Sequence, residues 1–198
     1  MSITNGYCSL AELKSALGLE GVSTYDDELE GVIEGASRFI DNYCNRFFYQ
    51  DDDATRYYTA RDYNVCIVND LRSIDSLATD DDGGRTYSET WTSADYDLYP
   101  LNPLNGEPYT MIKPTPNGTY QFPSFAKGVK IVGDFGWESV PLPVWRACVI
   151  QTERWWMRRE APFGIGGDSR RLGEIHIVSE LDPDVKSALE GYRRYVVA

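Results

Sequence analysis

The sequence predicts an α+β fold: a small helical bundle of about four helices formed by both chain ends, with an antiparallel β-domain inserted between them. Three observations carry this. Apolar residues recur at helical spacing before residue 50 and again after residue 140. Between those stretches, short runs rich in β-branched and aromatic residues alternate with clusters of Gly, Pro, Asn and Asp. Neither helical end is long enough to bury its own stripe, so the two must meet. The expected division is 1–52 with 138–198 for the helical core and 53–137 for the β-domain.

Taken in order, Ser9 opens S-L-A-E with Glu12 at the third helical position, a capping box, and Gly18 is a natural stop. The next helix is the longest. Leu29, Val32, Ile33, Ala36, Phe39, Ile40, Tyr43 and Phe47 hold one apolar stripe, with Asp26, Asp27 and Glu28 at the start and Arg46 at the end. Eight runs then read as strands: TRYYTA, NVCIVND, SIDSLATD, RTYSETW, DYDLYPL, YTMIK, TYQF and GVKIVGDF. They predict about six to eight strands, with turns at DDDGG, NPLNGEP and PTPNG.

The helical period returns after Pro141 and Pro143, which suit the first turn of a helix because their missing N–H is not needed there. Val144, Trp145, Ala147, Cys148, Val149, Ile150, Trp155 and Trp156 cover most of this helix's circumference, which predicts burial on more than one side. Residues 160–175 read as a flexible loop. Asp182 then caps a last helix with Pro183 at its first position, and its stripe is expected to run through Val185, Ala188, Leu189, Tyr192 and Val196, carrying Arg193 and Arg194 with it.

The net charge is -12, concentrated in the first 140 residues, whereas the remainder is close to neutral. An acidic body argues against a protein that grips nucleic acid, because phosphate contacts need Lys and Arg. Cys44, Cys66 and Cys148 lie in apolar stretches, and Cys8 makes no metal-type spacing with them, so the thiols read as reduced and structural. The N-terminus lacks a basic segment followed by an apolar run, and no apolar run approaches a membrane span, so a soluble protein made in a cytoplasm is expected.

A search for chemistry returns little. His176 is the only histidine, and no Ser or Cys nucleophile pattern accompanies it. Phosphate-binding glycine loops, nucleophile elbows and zinc-protease motifs are absent from the sequence. The acids of 51–53 and 80–82 lack the register of a calcium loop, and the second group reads as a solvated hairpin turn. No catalytic residue, metal ligand or cofactor is therefore expected. The arginines of the C-terminal part are more informative. Arg146, Arg154 and Arg158 share one helix face with Arg159 beside them, Arg170 and Arg171 lie in the loop, and Arg193 and Arg194 lie between Tyr192 and Tyr195. Arginine beside tyrosine and tryptophan is the composition of interface anchors.

The stretches DDELEGVIEGASRFIDNYCNRFF, GDFGWESVPLPVWRAC and the closing L-x-x-Y-R at Leu189, Tyr192 and Arg193, in that order, resemble the head–tail connector (head-completion or adaptor) proteins of tailed phages. The long helix carries Ala36, Ser37, Ile40, Tyr43, Arg46 and Phe47 on the family's pattern. The strand-to-helix junction carries Gly133, Gly136, Trp137, Val140 and Pro141. The closing helix carries Leu189, Tyr192 and Arg193. The resemblance spans roughly residues 5–50 and 128–198, and the segment 53–127 departs from it by being longer than the simple hairpin of the smallest members. It implies a non-enzymatic virion subunit of the neck, assembled in the host cytoplasm. It further implies a ring, usually of twelve copies, that sits beneath the portal protein and extends the DNA channel without sequence-specific binding. Such a ring offers a platform to the stopper or tail-completion protein. The interface residues expected are Arg154, Arg158, Arg159, Arg170, Arg171, Tyr192, Arg193, Arg194 and Tyr195.

Two other readings stay open on the sequence. A binding module could use ring platforms such as Tyr57, Tyr58, Tyr87 or Trp91 as a glycan or protein receptor site, the competing reading being that these are sheet-core aromatics. A hydrolase with paired carboxylates has acids enough, but none in a recognisable constellation.

Overall fold

The computed structural model describes residues 3–159 and 181–195. Its elements run α1 (Leu10–Leu17), α2 (Asp26–Cys44), β1 (Gln50–Tyr58), β2 (Cys66–Thr79), β3 (Glu89–Trp91), β4 (Tyr96–Tyr99), β5 (Tyr109–Pro114), β6 (Val129–Gly136), α3 (Leu142–Arg158) and α4 (Pro183–Leu189). The fold is α+β, and the chain divides into two compact units. One comprises residues 1–48 with 140–198, the other residues 49–139.

In the helical unit, α1 keeps its capping box: Ser9 accepts from the Glu12 N–H, and Glu12 reaches back to the Ser9 N–H. Gly18 ends it at φ 66, the left-handed conformation glycine adopts without penalty. On α2 the fully buried stripe is Leu29, Ile33, Ala36, Ser37, Ile40 and Cys44, while Val32, Phe39 and Tyr43 flank it half-buried. Each buried Leu or Ile contributes about 1.5–3 kcal/mol. The helix stops one turn sooner than its apolar pattern suggests, because Asn45 takes the left-handed conformation at φ 53. Arg46 and Phe47 therefore lie beyond it rather than in its last turn. Pro141 caps α3 and Pro143 sits in its first turn. This helix buries Val144, Ala147, Cys148, Val149, Gln151, Thr152 and Trp156 because it packs against α1, α2 and α4 together. That is why its sequence is bulky nearly all round.

A tyrosine ties the N-terminal segment into this unit. The Tyr7 hydroxyl donates to Asp41 Oδ1 and accepts from the Phe48 N–H at 2.8 Å. Its ring meets Phe48 edge-on at 5.7 Å, and its own N–H donates to Ser37 Oγ.

The β unit is a six-stranded antiparallel sheet in the order β1-β6-β2-β5-β4, with β3 paired to β2. Two of the expected runs merge: NVCIVND and SIDSLATD form one 14-residue strand, β2, irregular in register where they join. On one side β2 pairs with β6, and on the other its first half pairs with β5 and its last three residues with β3. TYQF is not a strand. Phe122 and Tyr120 instead stack on the Trp91 ring, at 4.6 and 5.3 Å, and burying those rings takes precedence over pairing the backbone. The acids 51–53 lie within β1 rather than before it. Asp53 has φ 53 at a bulge, and Asp51 and Asp52 pair with Arg56 and Arg72.

The G-x-x-G of the last strand has two separate physical causes. A Cβ on Gly133 would lie 2.2 Å from the Ser73 carbonyl oxygen and 3.1 Å from Ile74 Cα, so β2 can approach only a glycine there. Gly136 has φ 83, which ends the strand in a conformation other residues adopt only under strain. Gly133→Ala should destabilise the protein by about 1–3 kcal/mol, because backbone must move. Gly136→Ala should lose about 1–2 kcal/mol. Urea denaturation of each variant checks both values, and an unchanged midpoint for Gly133→Ala would contradict the close approach.

Candidate assembly interface

Arg154 in α3 and Arg159 just beyond it are already engaged within the helical unit. Arg154 pairs with Asp182, whose other oxygen caps α4 by accepting from the Asp184 N–H at 2.9 Å. Gln151 Oε1 accepts from the Asp182 N–H at 3.2 Å. One residue thus fastens the start of α4 to α3. The sequence marks Asp182 only as a cap, and no local pattern signals its second role. The Arg159 guanidinium lies 3.4 Å from the Trp156 ring centroid and 4.8 Å from that of Tyr25. Such stacking holds a cation at the protein surface. Arg158 is half-buried, and partial burial, then the neighbouring charge of Arg154, pulls its guanidinium below its ordinary value. Arg146 is exposed on the same helix, as is Met157, at 72% exposure.

The C-terminal residues take a different form from the one the periodicity predicts. The last helix ends at Leu189, a short 3₁₀ turn covers Glu190–Tyr192, and Arg193 is extended at φ -69, ψ 133. Arg193, Arg194 and Tyr195 therefore do not continue the helix, and Ala188 is exposed rather than part of a buried stripe. Gly191 and the shortness of the helix explain the early stop. The extended segment returns to the end of α2. The Arg194 N–H donates to the Cys44 carbonyl at 2.8 Å, the Tyr192 ring meets Phe48 edge-on at 5.8 Å, and Arg46 donates to the Tyr192 carbonyl. The Arg194 bond satisfies one of the carbonyls that a helix end leaves without a partner.

Glu190 is the hub that the sequence did not reveal. It accepts from Tyr43 at 3.0 Å and from Tyr195 at 2.7 Å, with Arg193 alongside at 3.5 Å. The Arg193 guanidinium in turn lies over the Tyr43 ring at 4.8 Å. The Tyr195 hydroxyl first, then that of Tyr43, hold the Glu190 carboxyl below its ordinary value of 4.5. Because the docked arrangement favours the carboxylate, its contribution is fully present above that ordinary value and is lost as pH falls through the lowered one. Tyrosine NMR signals of Tyr43 and Tyr195 should therefore shift together at acid pH, and the step should vanish in Glu190→Gln. Persistence of the step in that variant would contradict the hub.

Of the expected interface residues, the structure brings Tyr192, Arg193, Arg194 and Tyr195 together at the end of α2, and Arg154, Arg158 and Arg159 near the end of α3. Arg170 and Arg171, the 160–175 loop, His176 and Val196 lie outside the described residues.

The β unit offers no receptor platform on Trp91, which is buried against Tyr120 and Phe122 and donates to Thr79 Oγ1. Tyr58 and Tyr87 are half-buried, and Tyr57, 48% exposed, leans on Tyr87 at 5.4 Å. The acids of residues 80–82 open the loop joining β2 to β3, as a hairpin connection does, although Asp80 itself is buried and accepts from the Arg85 N–H. Asp53, Asp75 and Asp134 offer oxygens within 4.8 Å of one another, a spacing suited to a hard cation. Asp134 already accepts from Ser73 and from the Asp53 N–H, and these bonds, the Ser73 one foremost, hold its carboxyl below the usual range. Two of the three acids are exposed, so the group reads as a solvated cluster held by its own bonds. All four cysteines are free thiols, and burial pushes those of Cys44 and Cys66 up to about 12. No helix among the described residues is long and apolar enough to cross a membrane.

No protein-family model matches the chain, and no curated protein matches it. Solved structures do. The chain aligns over its whole length, and over 95% of the other chain, with a protein in the neck of an empty GTA (gene transfer agent) particle, a structure computed with C6 symmetry; the TM-score is 0.60 at 16% identity. A neck protein of the native GTA particle, computed with C12 symmetry, aligns over 100% of this chain and 94% of its own, with a TM-score of 0.57 at 17% identity. The fold built from these two units is thus one also found in the neck of a phage-like particle, in agreement with the head–tail connector motifs in the sequence.

Proposed function

We propose that the chain is a structural subunit of the neck of a tailed-phage-like particle. It acts there as an adaptor that assembles into a ring beneath the portal, extends the DNA channel and presents a platform to the stopper or tail-completion protein. The observation that carries this reading is the end-to-end match of both units to neck proteins of C6- and C12-symmetric reconstructions. Those symmetries support a homo-oligomeric ring, with twelve copies the number we adopt. The helical core at 1–52 and 138–198 would form the ring body, with 53–137 as the inserted domain. The acidic balance supports a channel through which DNA slides without being held, since a wall with few cations releases few counterions and grips weakly. The occurrence of this fold among neck proteins supports a structural, non-enzymatic role. We assign the portal or neighbour-subunit interface to Arg154, Arg158, Arg159, Tyr192, Arg193, Arg194 and Tyr195, together with Arg170 and Arg171.

Mixing the full-length protein with purified portal rings tests the proposal. Light scattering after size exclusion should show one complex at a fixed stoichiometry with a single ring of subunits per portal. Separate elution of both components at micromolar concentrations would contradict it. Ring subunits of this kind can assemble only on their partner, so a monomeric free protein is consistent with the reading.

A further inference from the structure

Cys8 and Cys148 stand 140 residues apart in sequence with their sulfurs 3.6 Å apart in the helical unit. Cys8 lies in the irregular segment before α1, and Cys148 lies in the middle of α3. Among the described residues, Cys44 and Cys66 make no such sulfur contact. The pair sits in a polar pocket of its own. Ser37 Oγ is 3.5 Å from the Cys148 sulfur and Thr152 Oγ1 is 3.9 Å from it, while Ser37 also accepts from the Tyr7 N–H. Both thiols are buried, Cys148 fully and Cys8 at 4% exposure, and the Cys8 segment lines an open groove of about 400 Å³ formed by the N-terminal segment and the start of α1. Cys8 thus lies beside the groove with Cys148 behind it, so an outward displacement of the irregular N-terminal segment brings the Cys8 sulfur to solvent first, the order of an attacking and a resolving thiol.

We propose that Cys8 and Cys148 are a modification site: a reversible disulfide that forms when the protein meets a low-molecular-weight disulfide such as oxidised glutathione. The Cys8 sulfur, its proton passing to Cys148, attacks one sulfur of the reagent and expels the first thiolate. Cys148 then gives up the proton and attacks the Cys8 sulfur of the mixed disulfide, which expels the second thiolate. Two protein thiols are oxidised to one disulfide, and one reagent disulfide is reduced to two thiols, which carry away the two protons. The Cys8 contact, then those of Ser37 and Thr152, favour the Cys148 thiolate, which suits the resolving step. The Cys148 contact and burial hold the Cys8 thiol well above its ordinary value, so the first attack is the slower step. Closing the sulfurs to the roughly 2.05 Å of a disulfide falls to Cys8, whose segment has no helical geometry to preserve. The product staples the N-terminal segment, and with it Tyr7, to the helix at the centre of the unit. This inference stands apart from the neck reading: it needs only an oxidising medium.

Full-length protein is incubated with oxidised glutathione, and its intact mass, free thiols and peptide map are followed. The expected product is lighter than the reduced protein by about 2 Da, retains two of its four thiols, and yields a Cys8–Cys148 cross-linked peptide. Its thermal midpoint should rise by about 5 °C, and dithiothreitol should reverse the change. The rate should increase with pH, because each attack needs a thiolate. Cys8→Ala should give no product, whereas Cys148→Ala should stop at a glutathione adduct on Cys8 and Cys44→Ala should oxidise normally. Retention of all four thiols in the folded wild-type protein would overturn the proposal. So would a wild-type product that stops at the adduct, a cross-link through Cys44 or Cys66, or an oxidised protein no more stable than the reduced one.

Discussion

Replacing Tyr7 with Ala should lower the unfolding free energy of the protein by about 3–5 kcal/mol, a larger loss than either glycine substitution in β6. The residue is 2% exposed, and its ring and hydroxyl serve different neighbours. The ring fills space against Phe48, with Arg38 on its other side at 5.6 Å. The hydroxyl bridges Asp41 and the Phe48 N–H, so its removal strands a buried donor and a largely buried carboxylate. Burial already raises the Asp41 carboxyl above its ordinary value despite the Tyr7 and Arg38 bonds, so losing a donor there is costly. Tyr7→Phe separates the two contributions. It keeps the ring and should lose about 1–3 kcal/mol through the stranded polar groups alone. Chemical denaturation measures both variants; a Tyr7→Ala loss under about 1 kcal/mol would mean the segment is not part of the core.

Removal of residues 192–198 should abolish docking to the portal while leaving a folded protein. The truncation takes away the Tyr192 ring from Phe48, the Arg194 N–H from the Cys44 carbonyl and the Arg193 and Tyr195 partners of Glu190. Two of these act on stability directly. The edge-on ring pair contributes about 0.5–1.5 kcal/mol and the backbone hydrogen bond about 1 kcal/mol. The truncated chain should therefore melt lower but cooperatively, with its circular dichroism retained. Docking should fall at least about 100-fold, as expected when clustered Arg and Tyr anchors leave an interface together. Arg193→Ala isolates the interface part, because its guanidinium lies on the surface beside Glu190 and the Tyr43 ring. That variant should keep the wild-type melting temperature and still dock more weakly. A truncated protein that is unfolded, beside an Arg193→Ala variant that docks normally, would place this segment in the core and remove it from the interface.

The elements legible in the sequence were those whose cause is local. The Ser9 box, the glycine at the end of α1, the Pro141–Pro143 start of α3 and the Asp182 cap each depend on neighbours a few residues away, and all stand as expected. The G-x-x-G motif could be quoted but not explained, because Gly133 is required by the backbone of a strand some sixty residues earlier. Elements failed where a distant partner decided. TYQF has strand composition, but Trp91 recruits its rings. The apolar stripe of the last helix runs on past Leu189, but Gly191 and the bonds to α2 draw the chain off as an extended segment. The candidate interface was legible as composition only. Which arginine pairs with Asp182, which stacks on Trp156 and which gathers around Glu190 are matters of tertiary contact that no spacing encodes.

Electron microscopy of portal-bearing, DNA-filled, tailless heads incubated with the purified protein tests the central claim most directly. The neck account predicts a new ring of density beneath the portal, continuous with the DNA channel, into which twelve copies of this fold can be placed. Portals that stay bare at saturating protein would contradict it.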